Sequence, residues 1–271
     1  MTKHTRRCVW FFSLIFLTGL LIFSSTGRVR AQDDLDNDGL LDSKESQLAL
    51  MYAPYLHFAA GEKFFPTDVN YHVDNSVLYL KSDDANMLIN PSPTTASISL
   101  YQTGAYFLNN TLGAFEEIAE DYEQKRESLG YTVYARVTKK GEYFVVQYWF
   151  FYAFNPGTLN QHQGDWEMIE IILDSMETPL YAVYSQHLAG ERASWNDAER
   201  INETHPRVYV ALGTHASYFR PYQGKIGLEN DVVGNALTLE PDNLQVILLG
   251  EMGIGNHPPS QDWLEYGGRW G

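Results

Sequence analysis

Apolar residues along most of this chain recur at alternate positions or in short unbroken runs, the pattern of strands. Residues 131–137 and 142–152 predict the arms of a hairpin across Thr138-Lys139-Lys140-Gly141. The second arm is almost continuously apolar from Phe144 to Tyr152, which predicts a central strand covered on both faces. The apolar run 168–173 follows, then a turn over residues 174–179 and a returning strand over 180–186. Further strands are expected at 55–58, 207–212 and 244–249. Gly61-Glu62 reads as a turn, and Phe64-Phe65-Pro66 leads into residues 69–73. Helical spacing holds over 111–129, where Leu112, Phe115, Ile118, Ala119, Tyr122 and Leu129 share a face. Thr111 is placed to cap its start and Gly130 its end. A shorter helix over 43–52 stops before Pro54. Residues 83–104 read as loops with weak strands, 189–206 as a long polar loop, and the chain after Tyr222 as glycine-rich and irregular.

These elements predict a mainly β protein, an antiparallel β-sandwich with one or two flanking helices. Its domains are expected at 1–31 (a signal peptide), 32–49 (an Asp-rich loop and short helix) and 50–271 (the sandwich). Lys3, Arg6 and Arg7 precede an apolar run over 9–23 that is short for a membrane span. Val29-Arg30-Ala31 offers a cleavage site, so secretion with cleavage near Ala31 is expected; an uncleaved anchor is the alternative. The one cysteine, Cys8, lies in that segment, so the mature chain would hold no disulfide and no thiolate. The segment carries five basic and no acidic residues. Without it, 14 basic residues stand against 34 acidic ones, a net −20. Such a surface repels nucleic acid and favours cations. Contact with a membrane, without crossing it, is compatible with the mature chain.

Cation chemistry has a candidate place in Asn160-Gln161-His162-Gln163-Gly164-Asp165-Trp166-Glu167. On a strand, Asp165 and Glu167 point one way and Trp166 the other. His162 sits in the preceding loop, where Gly164 lets the chain fold back. Pairing about the turn at 174–179 makes residue numbers sum to roughly 354, which sets His187 opposite Glu167. A slip of one residue would turn His187 away. His162, Asp165, Glu167 and His187 therefore form the candidate ligand set, with oxygen donors suited to calcium or magnesium. His215 joins it if the loop over 189–206 returns the chain to the same end. The plainer alternative is a polar strand end whose acids bond neighbouring backbone. His57, His72 and His205 read as structural histidines.

A second candidate opens the mature chain. Asp34, Asp36, Asp38, Leu40, Asp42 and Glu45 fall at the ligand positions of D-x-D-x-D-G-x5-E, with Gly39 at its sharp turn. Calcium is the expected ion, with an acidic solvated linker as the alternative. No amphipathic helix precedes the loop within the mature chain, so a paired EF-hand is not expected.

The chain also resembles the vacuolar protein sorting-associated protein 62 family. The resemblance is carried by Gly164-Asp165-Trp166-Glu167, Tyr184-Ser185-Gln186-His187, the segment from His205 to Ala211, the segment from Gly213 to Tyr218 and the Gly268-Arg269-Trp270-Gly271 ending. It covers about residues 50–271. A local similarity links residues 161–167 to the Gly-His-Arg-His-Asp-Trp-Glu heptapeptide of necrosis-inducing cytolysins. There the first His, the Asp and the Glu are metal ligands, which implies the same for His162, Asp165 and Glu167. This chain has Gln163-Gly164 in place of Arg-His. Three readings follow: a secreted metal-binding protein docking on a cell-surface glycan or lipid headgroup, with Trp195 an exposed stacking aromatic; a metal-dependent hydrolase with His215 as general base; and a scaffold module with structural calcium.

Overall fold

The computed structural model describes residues 34–83, 85–222, 224–226, 230–253 and 255–271. The apolar run at 9–23 and the cleavage site expected near Ala31 lie outside the described residues. In chain order come α1 (Asp42–Met51), β1 (Tyr55–Phe58), α2 (Val69–Asp74), β2 (Ser76–Leu80) and β3 (Met87–Asn90). Next are α3 (Thr95–Ile98), β4 (Tyr106–Asn110), α4 (Phe115–Leu129), β5 (Tyr131–Lys140), β6 (Tyr143–Asn155) and β7 (His162–Leu173). Then follow β8 (Pro179–Gln186), β9 (Ala189–Ser194), β10 (Arg200–Ile201), β11 (His205–Val210) and β12 (Ser217–Tyr218). The remaining strands are β13 (Lys225–Ile226), β14 (Asp231–Val232), β15 (Leu237–Leu239) and β16 (Leu244–Leu248).

The largest sheet has six strands in the order β16-β5-β6-β7-β8-β9. β6, the apolar run, lies inside it with both backbone edges paired, and its two faces enter separate cores, Val146, Tyr148 and Phe150 in one and Phe151 in the other. A five-stranded sheet, β10-β11-β1-β15 with β12 beside β11, forms the second layer. Leu56, Phe58, Val208 and Val210 from that layer share one core with Ile169, Ile171, Ala182 and Tyr184 of the large sheet. This is the expected sandwich, with two parallel pairs, β1/β11 and β16/β5, among antiparallel ones. A second core holds Tyr134 and Phe151, with Trp166 packed against it. It is closed by β2, β4 and the C-terminal residues Trp263 and Tyr266.

Several boundaries differ from expectation for local reasons. α4 begins at Phe115, not Thr111. Gly113 takes φ +135° and Asn110 Oδ1 accepts the Leu112 N–H at 2.8 Å, which holds a loop there. The Glu117 carboxylate then accepts the Ala114 N–H at 2.9 Å and starts the helix. It ends as expected at Gly130, φ +69°. The β5–β6 ladder runs on to Lys140 opposite Tyr143, so its turn is the tighter Gly141-Glu142. Residues 189–206 are not one loop, because β9 pairs with β8 around His187-Leu188 and β10 pairs with β11. The stretch 83–104 holds α3, capped reciprocally by Thr94 and Ser97.

Candidate metal centre

β7 alternates buried and half-buried residues from Asp165 to Leu173. Asp165 and Glu167 lie on the same face as Ile169 and Ile171, towards the core shared by the two sheets. Trp166 lies on the other face, with ring centroids 4.9 Å from Phe151 and 5.7 Å from Trp263. Gly164 precedes them at φ +62°, and a Cβ there would fall 2.6 Å from the Trp270 Cβ. The position therefore demands glycine on two counts, conformation and space.

Asp165 is buried and held from three sides. Its Oδ2 accepts from His215 Nδ1 at 2.8 Å and from Asn155 Nδ2 at 3.1 Å. Its Oδ1 lies 3.3 Å from His162 Nε2. Burial alone would raise the Asp165 pKa, but the bonds from His162 and His215 bring it below the usual carboxylate range. His162 Nδ1 donates to the Asn160 carbonyl at 2.7 Å, which leaves Nε2 facing Asp165. The bond to Asp165 raises the His162 pKa, since a proton on Nε2 resolves two facing lone pairs. A divalent cation can do the same, so the pair fits a metal, with the His162 tautomer fixed by a backbone carbonyl.

Glu167 lies beside them and accepts from the Ser185 hydroxyl. Burial and then the charge of Asp165 push its pKa up to about 8. The Ser185 hydroxyl and the charge of His215 oppose that rise. His162, Asp165, Glu167 and His187 line one cleft of about 390 Å³. The observed register pairs Ile169 with Tyr184 and shifts at Ile172/Leu173, one residue away from the expected sum. His187 is thus at the β8–β9 turn, φ +52°, and its Nε2 bonds Asp231 Oδ2 at 2.8 Å. It reaches the cleft from the turn and not from the strand ladder. Among the described residues, the central group is looser than the acidic loop, where ligand atoms gather within 4.8 Å.

His215 does return to this end, but as a clamp. It is fully buried at φ +56°, stacked on Tyr152 with centroids 3.8 Å apart. Its Nε2 is 3.5 Å from Glu62 Oε1 and its Nδ1 is bound to Asp165. Burial works against its charge, yet Glu62 and Asp165 push its pKa up to about 9. Both ring nitrogens are thus turned to carboxylates, Nδ1 to Asp165 and Nε2 to Glu62. Trp195 is buried, not exposed, edge-on to Tyr52 at 5.8 Å and beneath Arg200 at 5.7 Å. It packs into the core.

Sequence reading missed four supports. Glu62 accepts the Gly213 N–H at 2.8 Å as well as facing His215. Asp231 accepts from the Thr214 and Tyr218 hydroxyls, each at 2.6 Å, and from His187. Asn155 and Ser185 complete the set. Ser185 and Asn155 lie beside recognisable elements and were findable; Glu62 and Asp231 reach the site only through tertiary contacts.

At the N-terminus, Gly39 takes φ +90°. The Leu40 N–H bonds Asp38 Oδ1 at 2.7 Å, the Gly39 N–H bonds Asp34 Oδ2 at 3.3 Å, and Asp42 Oδ1 accepts the Leu35 N–H at 2.9 Å. Ligand atoms of Asp34, Asp36 and Asp42 lie within 4.8 Å of one another. Glu45, on α1, is buried, and burial followed by the charge of Asp36 lifts its pKa to about 8. Burial lifts Asp36 to about 6. The acidic groups can hold a metal ion, and the donor set is all oxygen, as hard cations require.

His57 bonds Thr238 Oγ1 at 2.8 Å, His205 bonds the Ala53 carbonyl at 2.7 Å, and His72 is buried against the Trp270 carbonyl.

Together these features define a class: a β-sandwich with a His/Asp/Glu cleft at one end of its larger sheet. Residues 42–271 match vacuolar protein sorting-associated protein 62, and the chain belongs to that family. A search of curated proteins found no match. Similar solved structures include NLPPya in complex with glucosamine, at 13% identity and TM-score 0.43, with 83% of each chain covered. Another, described as a toxin fold for microbial attack and plant defense, has 14% identity, 83% and 82% coverage and TM-score 0.42. Necrosis and ethylene inducing protein 2, from the causal agent of cocoa's witches' broom disease, has 12% identity, 82% and 83% coverage and TM-score 0.41.

Proposed function

We propose that this is a secreted protein that binds a divalent cation at His162, Asp165 and Glu167 and uses it to dock on a cell-surface glycan or lipid headgroup. The observation that carries this reading is the cleft itself, a space of about 390 Å³ lined by these three side chains and His187. That space admits a sugar-sized group, and calcium or magnesium accepts hydroxyls into open coordination positions. Leu188, on the hairpin tip beside the cleft, is fully exposed and offers an apolar contact next to the headgroup. No helix among the described residues is long and apolar enough to cross a membrane. The N-terminal loop binds calcium separately and orders the start of the chain.

Calorimetric titration with calcium, magnesium and zinc tests both sites. Wild type is compared with Asp165→Ala/Glu167→Ala and with Asp36→Ala/Asp38→Ala. Two binding events, each removed by its own double variant, are expected. Cosedimentation with glycolipid-bearing vesicles should then require the cation and the intact cleft. Unchanged binding of cation and vesicles by Asp165→Ala/Glu167→Ala would end the proposal.

A further inference from the structure

The N-terminal acidic loop does not stand alone. Glu45 is 4% exposed, and among the described residues its carboxylate has no hydrogen-bond partner. It opens with Asp36 and Asp42 into a cavity of about 260 Å³. Asp34 Oδ1 is likewise buried and unpartnered. A nearly buried carboxylate without a donor, opening on a cavity that Asp36 and Asp42 also line, calls for a cation or a proton. Across the fold, Glu251 follows β16 and meets this loop: ligand atoms of Asp36, Asp38 and Glu251 all lie within 4.8 Å of one another. Glu251 also pairs with Arg136 of β5, whose Nε donates to its Oε1 at 3.0 Å. Both residues line a second cavity, of about 430 Å³, walled by Trp149, Trp166 and Trp263.

We propose that Glu251 is a ligand of the cation held by the Asp34 to Glu45 loop. It adds a carboxylate supplied by the body of the sandwich to a loop whose other ligands are local. Cation binding then draws Glu251 from Arg136 and fastens the loop to the segment after β16. The arrangement also carries the state of the loop to the tryptophan-walled cavity, since the guanidinium released by Glu251 faces that space. The cation is a hard divalent ion, because every donor is an oxygen. This rests on the reading that the loop binds calcium, and it is independent of the central cleft.

The test is calcium titration of the full mature chain by calorimetry, with hydrogen exchange read at the Gly250, Glu251 and Met252 amides and with tryptophan emission. The variants are Glu45→Gln, Glu251→Gln and Glu251→Asp. Wild type should bind calcium, gain protection at those amides and shift its emission. Glu45→Gln should abolish that event. Both Glu251 variants should weaken it by about tenfold or more, because ligand number and charge set affinity, and should lose the amide protection. Glu251→Asp keeps the charge but shortens the reach, so wild-type affinity in it with weakened binding in Glu251→Gln would mean long-range charge only and would overturn the proposal. So would wild-type binding by Glu251→Gln. If no heat depends on Glu45, the loop reading fails and this inference with it, while the cleft, judged by Asp165→Ala/Glu167→Ala, is unaffected.

Discussion

The central cleft and the N-terminal loop are both built around carboxylates, yet they handle that charge oppositely. In the cleft the protein supplies its own counter-groups. His215, Asn155 and His162 fix Asp165, and Ser185 holds Glu167. The acids sit on a strand inside a six-stranded sheet, so their positions are set before any ligand arrives. In the loop the carboxylates face one another, and the bonds they accept are mostly backbone N–H groups of the same loop. A cation bound there would organise the chain; one bound in the cleft would enter a frame already made. A carboxylate cluster is preorganised only when the surrounding fold pairs it.

The sharpest way to break this contrast is to remove the clamp. His215→Ala leaves Asp165 and Glu62 buried without their shared partner, which should cost about 3–5 kcal/mol. Urea denaturation of the metal-free protein measures it. An effect under about 1 kcal/mol would show that the cleft is no more preorganised than the loop.

Gly164→Ala comes next. It places a methyl against Trp270 at a position with φ +62°. A loss of about 2 kcal/mol or more is expected from strain, with weakened metal binding in the cleft and none in the loop.

The third effect is on pH dependence. Glu45 and Glu167, near 8 against 4.5, and Asp36, near 6 against 3.8, bind protons more tightly folded than unfolded. Without metal, their contribution is full below about pH 4 and is lost as pH rises to about 8. His215, near 9 against 6.5, contributes fully below pH 6.5 and loses that contribution as pH rises through 9. Melting temperature in chelator should therefore fall by about 5 °C or more between pH 5 and 9. Saturating calcium should flatten the part due to the carboxylates, because it stabilises their ionised forms. The Asp36→Ala/Asp38→Ala and Asp165→Ala/Glu167→Ala variants assign each share to its region.

The smallest effect is at the join of α1 to the turn before β8. Lys44 Nζ lies 2.6 Å from Glu177, with both side chains partly exposed. Lys44→Ala should cost about 0.5 kcal/mol, less at high salt. A larger loss in thermal melts would mean that the loop depends on the sandwich more than its local bonds suggest.

The chain's own pattern determined the β class, the central β6 run, the face shared by Asp165 and Glu167 and the loop's carboxylate spacing. Each depends on residues near one another in sequence, where period and motif are direct geometric statements. Tertiary structure alone decided that His215 is a clamp, that Trp195 is buried, that His187 enters from a turn bound to Asp231, and that Glu62 and Glu251 belong to charge clusters. Those outcomes come from long-range packing and from desolvation of charge, which depend on what the fold sets against a side chain and not on its neighbours in sequence.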